Sequence, residues 1–358
     1  MTEAEIIFET LSGEHGDIGL ITLNRPKMLN ALNQSMCIAM DAQLWQWQQD
    51  DQIKAVVIRG AGDRAFCAGG DIRSLYALKD EPIPEKPFFW YEYRLNHRIF
   101  HFPKPYIAFL DGLTMGGGVG LSVHGDFRIG TEKLQFAMPE TGIGFFPDVG
   151  GSYFLPRCPG RIGWYLALSG QAVGLTDAKE AGVVTHQVMS AQLPELLAAL
   201  VATPWADNLS LTAANTIAQF PSPAVAGDLA ERRIQIDACF SQSSVIAIME
   251  QLQQGDSWAK ATAQLLSTRS PTSLQVTFAQ LTRGAQLNFD DCMQMEYQMA
   301  LQFLRTPDFY EGVRAAVVDK DRNPQWQPKT LAEIEESTIA EFFKPKKYVA
   351  ALEFEAVG

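Results

Sequence analysis

The 358-residue chain predicts an α/β (α+β) core followed by a helical C-terminal region, and three observations carry that prediction. Short β-type runs alternate with helix-like stretches through the first two hundred residues, the pattern of helices packed on a sheet. Two of those runs lead into glycine-rich turns. Beyond about Trp205 the β-branched runs disappear and Gln, Leu, Ala and Glu dominate in helix-like stretches.

The first β-type run is Ile18 to Leu23. Met36, Met40, Leu44 and Trp47 then recur at three- and four-residue spacing, which predicts a helix with one apolar face and Asn33 as its N-cap. A strand at Ala55 to Arg59 follows, then a turn through Gly60-Ala61-Gly62-Asp63. Lys79 to Pro87 holds three prolines and three acids, so it reads as an exposed loop or flap. Further β-type runs are Tyr106 to Leu110, Phe127 to Gly130 and Leu134 to Met138. The helical stretches of the C-terminal half are interrupted at Pro221, Pro223, Pro271, Pro307 and Pro324. A boundary is therefore set between a core at 1–205 and a helical region at 206–358. There is no internal repeat or low-complexity tract.

Bulk properties narrow the function. With 47% hydrophobic residues the chain has material for a large core. A net charge of −12, from 41 acids against 29 bases, argues against nucleic acid or an anionic membrane as the main partner. A phosphorylated ligand then needs a local basic pocket. The five cysteines are scattered, with no C-x-x-C pair to suggest a cysteine zinc or redox site, and a cytoplasmic location is expected. Glu3, Glu5, Glu9 and Glu14 crowd the start, unlike a secretory signal. The best candidate membrane span, Tyr106 to Val123, is broken by Asp111 and five glycines.

Three segments are able to carry chemistry. Ala65-Phe66-Cys67-Ala68-Gly69-Gly70-Asp71-Ile72 offers a backbone amide, best that of Gly70, where a β-carbon would obstruct a ligand. It fits equally a tight strand-to-helix turn with Asp71 as N-cap. Met115-Gly116-Gly117-Gly118-Val119-Gly120 opens a helix, so its free N–H groups favour an anion or a developing oxyanion. Close helix-on-sheet packing explains those glycines as well. The run lacks the Lys-Ser/Thr of a P-loop and the spacing of a dinucleotide fingerprint. Phe136 through Gly151 sets Glu140 and Asp148 in a Gly/Pro-rich apolar loop, where paired acids suit acid/base work. Otherwise Glu140 is solvated and Asp148 caps a helix near Gly150. Together, glycine-presented amides polarise a thioester carbonyl while a carboxylate attacks it or activates water. His97 and His101 stand four apart, as a metal pair does, but lack the H-E-x-x-H form and read as surface or packing residues.

At these segments, and at Leu23 through Leu32, Glu311 through Ala315 and Asp319 through Trp326, the sequence resembles the crotonase (enoyl-CoA hydratase/isomerase) superfamily. It is most similar to the 3-hydroxyisobutyryl-CoA hydrolase branch, nearly end to end. The resemblance implies a spiral of ββα units whose C-terminal helices cover the site or pack on a neighbouring subunit, so a homo-oligomer is one expected partnership. It implies Gly70 and Gly117 as oxyanion donors, Glu140 and Asp148 as the acids, and Glu92 as a substrate contact. Ala68, with Asp71 and Ile72 beside it, matches the adenine-facing stretch, and Lys27 or Arg25 is expected near the coenzyme A phosphates. No metal or cofactor is implied, coenzyme A arriving with the acyl substrate. Hydratases carry a second glutamate two residues after the glycine triplet, where this chain has Gly120. Hydrolysis of a short 3-hydroxyacyl-CoA, as in valine catabolism, is thus expected ahead of a hydratase or isomerase, and ahead of a non-catalytic acyl-CoA-binding protein.

Overall fold

The structure is a computed structural model that describes residues 4–220 and 227–354. Pro221 and Pro223 lie outside the described residues. The strands are β1 (Ile6–Leu11), β2 (Asp17–Leu23), β3 (Ile53–Gly60), β4 (Ala65–Cys67), β5 (Tyr106–Leu110), β6 (Leu113–Met115), β7 (Phe127–Gly130), β8 (Gln135–Ala137) and β9 (His186–Gln187). The helices interspersed with them are α1 (Gln34–Gln49), α2 (Ile72–Ala77), α3 (Phe88–Phe100), α4 (Gly117–Gly120), α5 (Gly151–Phe154), α6 (Ile162–Ser169) and α7 (Leu175–Glu180). After β9 come α8 (Leu193–Val201), α9 (Leu209–Ile217), α10 (Asp228–Phe240), α11 (Val245–Gln253) and α12 (Ser257–Ser267). The last are α13 (Pro271–Gly284), α14 (Phe289–Phe303), α15 (Pro307–Val313) and α16 (Glu336–Phe342).

Two sheets organise the core. One runs β1-β2-β3-β5-β7-β9, parallel except for the β1–β2 pair, and the other is the parallel set β4-β6-β8. Consecutive strands alternate between them: β3 then β4, β5 then β6, β7 then β8, each pair leading into a helical turn. This is a ββα repeat winding as a spiral, the fold class expected from the sequence.

Period-two alternation decides which face each residue joins. On β3, Val56 and Ile58 turn toward the main core, which also holds Met36, Met40, Leu44 and Trp47 of α1. Ala55 and Val57 turn the other way, onto Leu196 and Leu200 of α8 and Ile217 of α9. Asn33 caps α1, its side chain accepting from the Met36 amide at 3.0 Å. The main core continues without a break into α10–α16. Among the described residues no helix is long and apolar enough to cross a membrane.

β4 and β6 carry no sequence signal of their own. At three residues each, within glycine-rich surroundings, they are too short to alternate, and sequence reading assigns no strand to either.

Candidate active site

The three chemistry-bearing segments leave the same end of the same small sheet. Gly69 and Gly70 follow β4, Gly116 and Gly117 follow β6, and Glu140 follows β8 after two residues. Parallel pairing of neighbours therefore sets the three segments side by side at the strand C-termini, where open α/β sheets bind ligands. A β-carbon built on Gly117 would lie 3.2 Å from the Gly70 amide nitrogen, so the two turns are in contact.

The backbone there is one that glycine permits. Gly69 has φ +112° and Gly116 φ +48°. A parallel bridge between Leu32 and Gly70 uses the Gly69 carbonyl, at 2.9 Å from the Leu32 amide, and the Asp71 amide, at 2.7 Å from the Leu32 carbonyl. The Gly70 amide between them takes no part in it. Gly117 is the first residue of α4, so its amide has no intrahelical acceptor.

A cavity of about 130 Å³ collects Gly70, Gly117, Glu92, Glu140 and Asp148, with Phe88, Phe89, Phe145 and Phe309 among its walls. Ala68 and Ile72 also line it. Phe309 comes from α15, so the C-terminal helices of the same chain wall the site. Glu140 opens a 3-10 turn after Pro139 and is only 5% exposed. The Gly116 β-carbon position lies 2.9 Å from its Oε1, and its Oε2 is enclosed without a hydrogen-bond partner. The solvated alternative for Glu140 thereby fails.

Asp148 does not cap a helix with its side chain. It accepts from the Tyr93 hydroxyl at 2.8 Å, and the amides of Gly150 and Ser152 instead donate to Glu296 of α14 at 2.8 and 2.7 Å. Glu296 is wholly buried and latches the loop after Asp148. Gln280 Nε2 holds the Pro147 carbonyl at 2.7 Å and His124 Nε2 donates to the Val149 carbonyl at 2.7 Å. Those ties keep Val149 at φ +51°, a region that β-branched residues rarely enter.

Four buried carboxyls so close together cannot all be ionised. Burial pushes Asp148 up to about 7, against the lowering pull of the Tyr93 hydrogen bond. Burial and the neighbouring Asp148 hold Glu92 and Glu140 well above the ordinary carboxylate range. Glu296 is pushed up by burial to about 8 despite its two amide donors. The cavity thus offers both proton donors and acceptors near neutral pH.

Beside this cavity, sharing Leu75 and Phe88 with it, lies a larger one of about 400 Å³. Its walls include Asp71, most of the Lys79–Pro87 loop, and the cations Lys79 and Arg305. Arg25 and Lys27, expected near phosphates, line neither cavity. Arg25 is engaged by Asp71 at 3.1 Å, Glu5 at 3.0 Å and the Ala31 carbonyl at 2.7 Å, while Lys27 faces solvent. Asp71 also caps α2 through the Ser74 amide at 3.3 Å.

Sequence reading missed Tyr93, Lys79, Arg305 and Glu296. Glu296 had a signal: an acid amid Cys292, Met293, Tyr297 and Ala300, on the apolar stripe of its helix.

A family model described as Enoyl-CoA hydratase/isomerase matches residues 18–343. The chain is 46% identical over 344 residues to the mitochondrial 3-hydroxyisobutyryl-CoA hydrolase of Xenopus tropicalis, covering 94% of this chain and 88% of that one. It is 43% identical over 341 residues to the Homo sapiens protein of the same name, with the same shares covered. Among solved structures, a carnitinyl-CoA dehydratase from Mycobacterium thermoresistibile matches with TM-score 0.91 at 37% identity, covering 99% of this chain and 100% of that one. An enoyl-CoA hydratase from Rhodobacter sphaeroides 2.4.1 matches with TM-score 0.84 at 35% identity, covering 96% and 98%. The mitochondrial designation of the two hydrolases overturns the cytoplasmic expectation. Unpaired thiols report a reducing milieu, not which compartment provides it.

Proposed function

The chain belongs to the enoyl-CoA hydratase/isomerase family, and from that premise we propose that it hydrolyses a short 3-hydroxyacyl-CoA thioester, 3-hydroxyisobutyryl-CoA first among them. It is an acyl-CoA thioester hydrolase like the vertebrate relatives to which it is similar. The observation that carries the reading is the convergence of the Gly70 and Gly117 turns with Glu140 and Asp148 on one apolar cavity.

The thioester oxygen accepts from the Gly70 and Gly117 amides, an oxyanion hole in which each donor is worth about 3 kcal/mol of barrier. The Glu140 carboxylate attacks the acyl carbon, the C–S bond breaks, and the Asp148 carboxyl gives its proton to the departing thiolate. Water then cleaves the mixed anhydride, its proton returning to Asp148 and the Glu140 carboxylate being freed. Glu92 faces the polar end of the acyl group. The coenzyme A arm occupies the larger cavity, with Lys79 and Arg305 toward its phosphates.

The similarity to a carnitinyl-CoA dehydratase and an enoyl-CoA hydratase of known structure favours a second reading, hydration of an enoyl-CoA. Against it stands Gly120, where a β-carbon would meet Val149 Cβ at 2.6 Å and Asn96 Nδ2 at 2.8 Å. The place of a hydratase's second acid is therefore filled by other side chains.

Incubation with 3-hydroxyisobutyryl-CoA and with crotonyl-CoA separates the readings. Hydrolysis releases free thiol from the first, whereas hydration removes the enoyl absorbance of the second. Absence of thiol from every short 3-hydroxyacyl-CoA would overturn the hydrolase reading. Trapping of an acyl group on Glu140 by hydroxylamine distinguishes the anhydride route from direct attack by water.

A further inference from the structure

The far end of α3 carries a second group of chemically able side chains, lining neither cavity. His97 and His101 stand one helical turn apart and so share a face of α3. The first turn of α14 brings Asp290 against them. Asp290 Oδ1 lies 2.9 Å from His101 Nε2 and 3.2 Å from His97 Nε2, and one ligand atom from each residue falls within 4.8 Å of the others. In a tetrahedral site with bonds of about 2.0–2.1 Å, neighbouring ligand atoms are about 3.3 Å apart. The two Asp290 spacings, 2.9 and 3.2 Å, lie close to that edge.

His97 supplies the second, independent observation. It is 6% exposed, and its Nε2 is enclosed without a hydrogen-bond partner although the carboxylate oxygen is so near. The ring nitrogen is thus poorly aligned with that oxygen for a hydrogen bond, although the two lie within ion-pair distance. The ring plane is fixed by stacking on Phe354, with centroids 3.8 Å apart and planes 2° apart. Such fixation is the preorganisation that a metal ligand needs.

We propose that His97, His101 and Asp290 bind one divalent transition-metal ion of the zinc class, with water completing the shell. Two imidazoles and one carboxylate suit zinc, whereas magnesium and calcium favour oxygen-only sets. The ion clips α3, which bears Glu92, to α14, which bears Glu296, and stabilises the native state because the unfolded chain has no preformed site.

The test uses the full chain, freed of metal by chelation and titrated with Zn²⁺ by equilibrium dialysis and with Co²⁺ by visible absorption. One ion per chain, d–d bands of tetrahedral intensity, and a Zn²⁺-dependent rise in Tm reversed by chelator are expected. His101→Ala removes a part-exposed ligand, and Asp290→Asn keeps shape and an acceptor oxygen while removing the charge, so one folded variant is enough to judge. Each weakens binding at least about tenfold, the lower bound for losing even an outer-shell partner, and abolishes the Tm rise. No saturable binding at one ion per chain overturns the proposal. So does unchanged binding in the variants, which would put the ion elsewhere.

Discussion

Replacing Glu296 by Ala tests whether a residue outside the cavity sets the position of Asp148. The substitution strands two buried amides, Gly150 N and Ser152 N, now held at 2.8 and 2.7 Å. At about 1–3 kcal/mol for each unsatisfied buried donor, the loss of stability is about 2–6 kcal/mol. Glu296→Gln retains one acceptor oxygen and turns an NH₂ toward the other amide, so it loses about half as much, about 1–3 kcal/mol. Without the latch, Val149 is free to leave its φ of +51°, a strain of about 1–3 kcal/mol, and Asp148 moves with it. A displacement of about 1 Å in a reacting group is able to cost about 10² in rate. Urea unfolding and thiol-release kinetics on the two variants read both effects. Glu296→Ala within about 0.5 kcal/mol of the parent, with kcat unchanged, would refute the latch.

The other predictions concern the cavity itself. Gly117→Ala sets a β-carbon 2.6 Å from Glu92 Oε1 and 3.2 Å from the Gly70 amide, and lowers kcat by about 10²–10³. Gly70→Ala, whose nearest neighbour is the Phe88 ring at 3.3 Å, costs less; equal losses in steady-state assays would contradict the proposed carbonyl geometry. Tyr93→Phe removes the hydrogen bond that holds Asp148 down at about 7, so the limb of the pH–rate profile that reports Asp148 shifts upward; an unmoved limb excludes Asp148 from proton transfer. Asp148 and Glu296, raised to about 7 and about 8 from 3.8 and 4.5, keep protons in the native chain that the unfolded chain has released. Their stabilisation is complete below about pH 4 and is lost as pH rises through about 7 and 8, at up to about 1.4 kcal/mol per pH unit for each proton. Tm measured from pH 5 to pH 8 therefore falls, and a rise would show that other groups dominate the linkage.

The parts of the site that a sequence displays are those where chemistry and local backbone coincide. Gly70, Gly117, Glu140 and Asp148 each sit in a run of glycine, proline and bulky apolar residues that fits no ordinary strand or helix, and all four line the same cavity. Glu296 and Arg305 were out of reach because their contacts are made by packing α14 on loops far away in the chain. Arg25 misled for a related reason: a cation near a glycine turn looks available until the fold brings Asp71 to it at 3.1 Å. Three-residue strands such as β4 are legible only once their partners are known.

The proposed carbonyl-binding amides issue from neighbouring strands of one parallel sheet, so their separation is inherited from interstrand spacing, about 4.8 Å, not from any side chain. Sequence drift in the connections between repeats, the Lys79–Pro87 segment included, leaves that spacing untouched. A framework of this kind lets substrate preference diversify in its loops while the device that polarises a carbonyl stays constant.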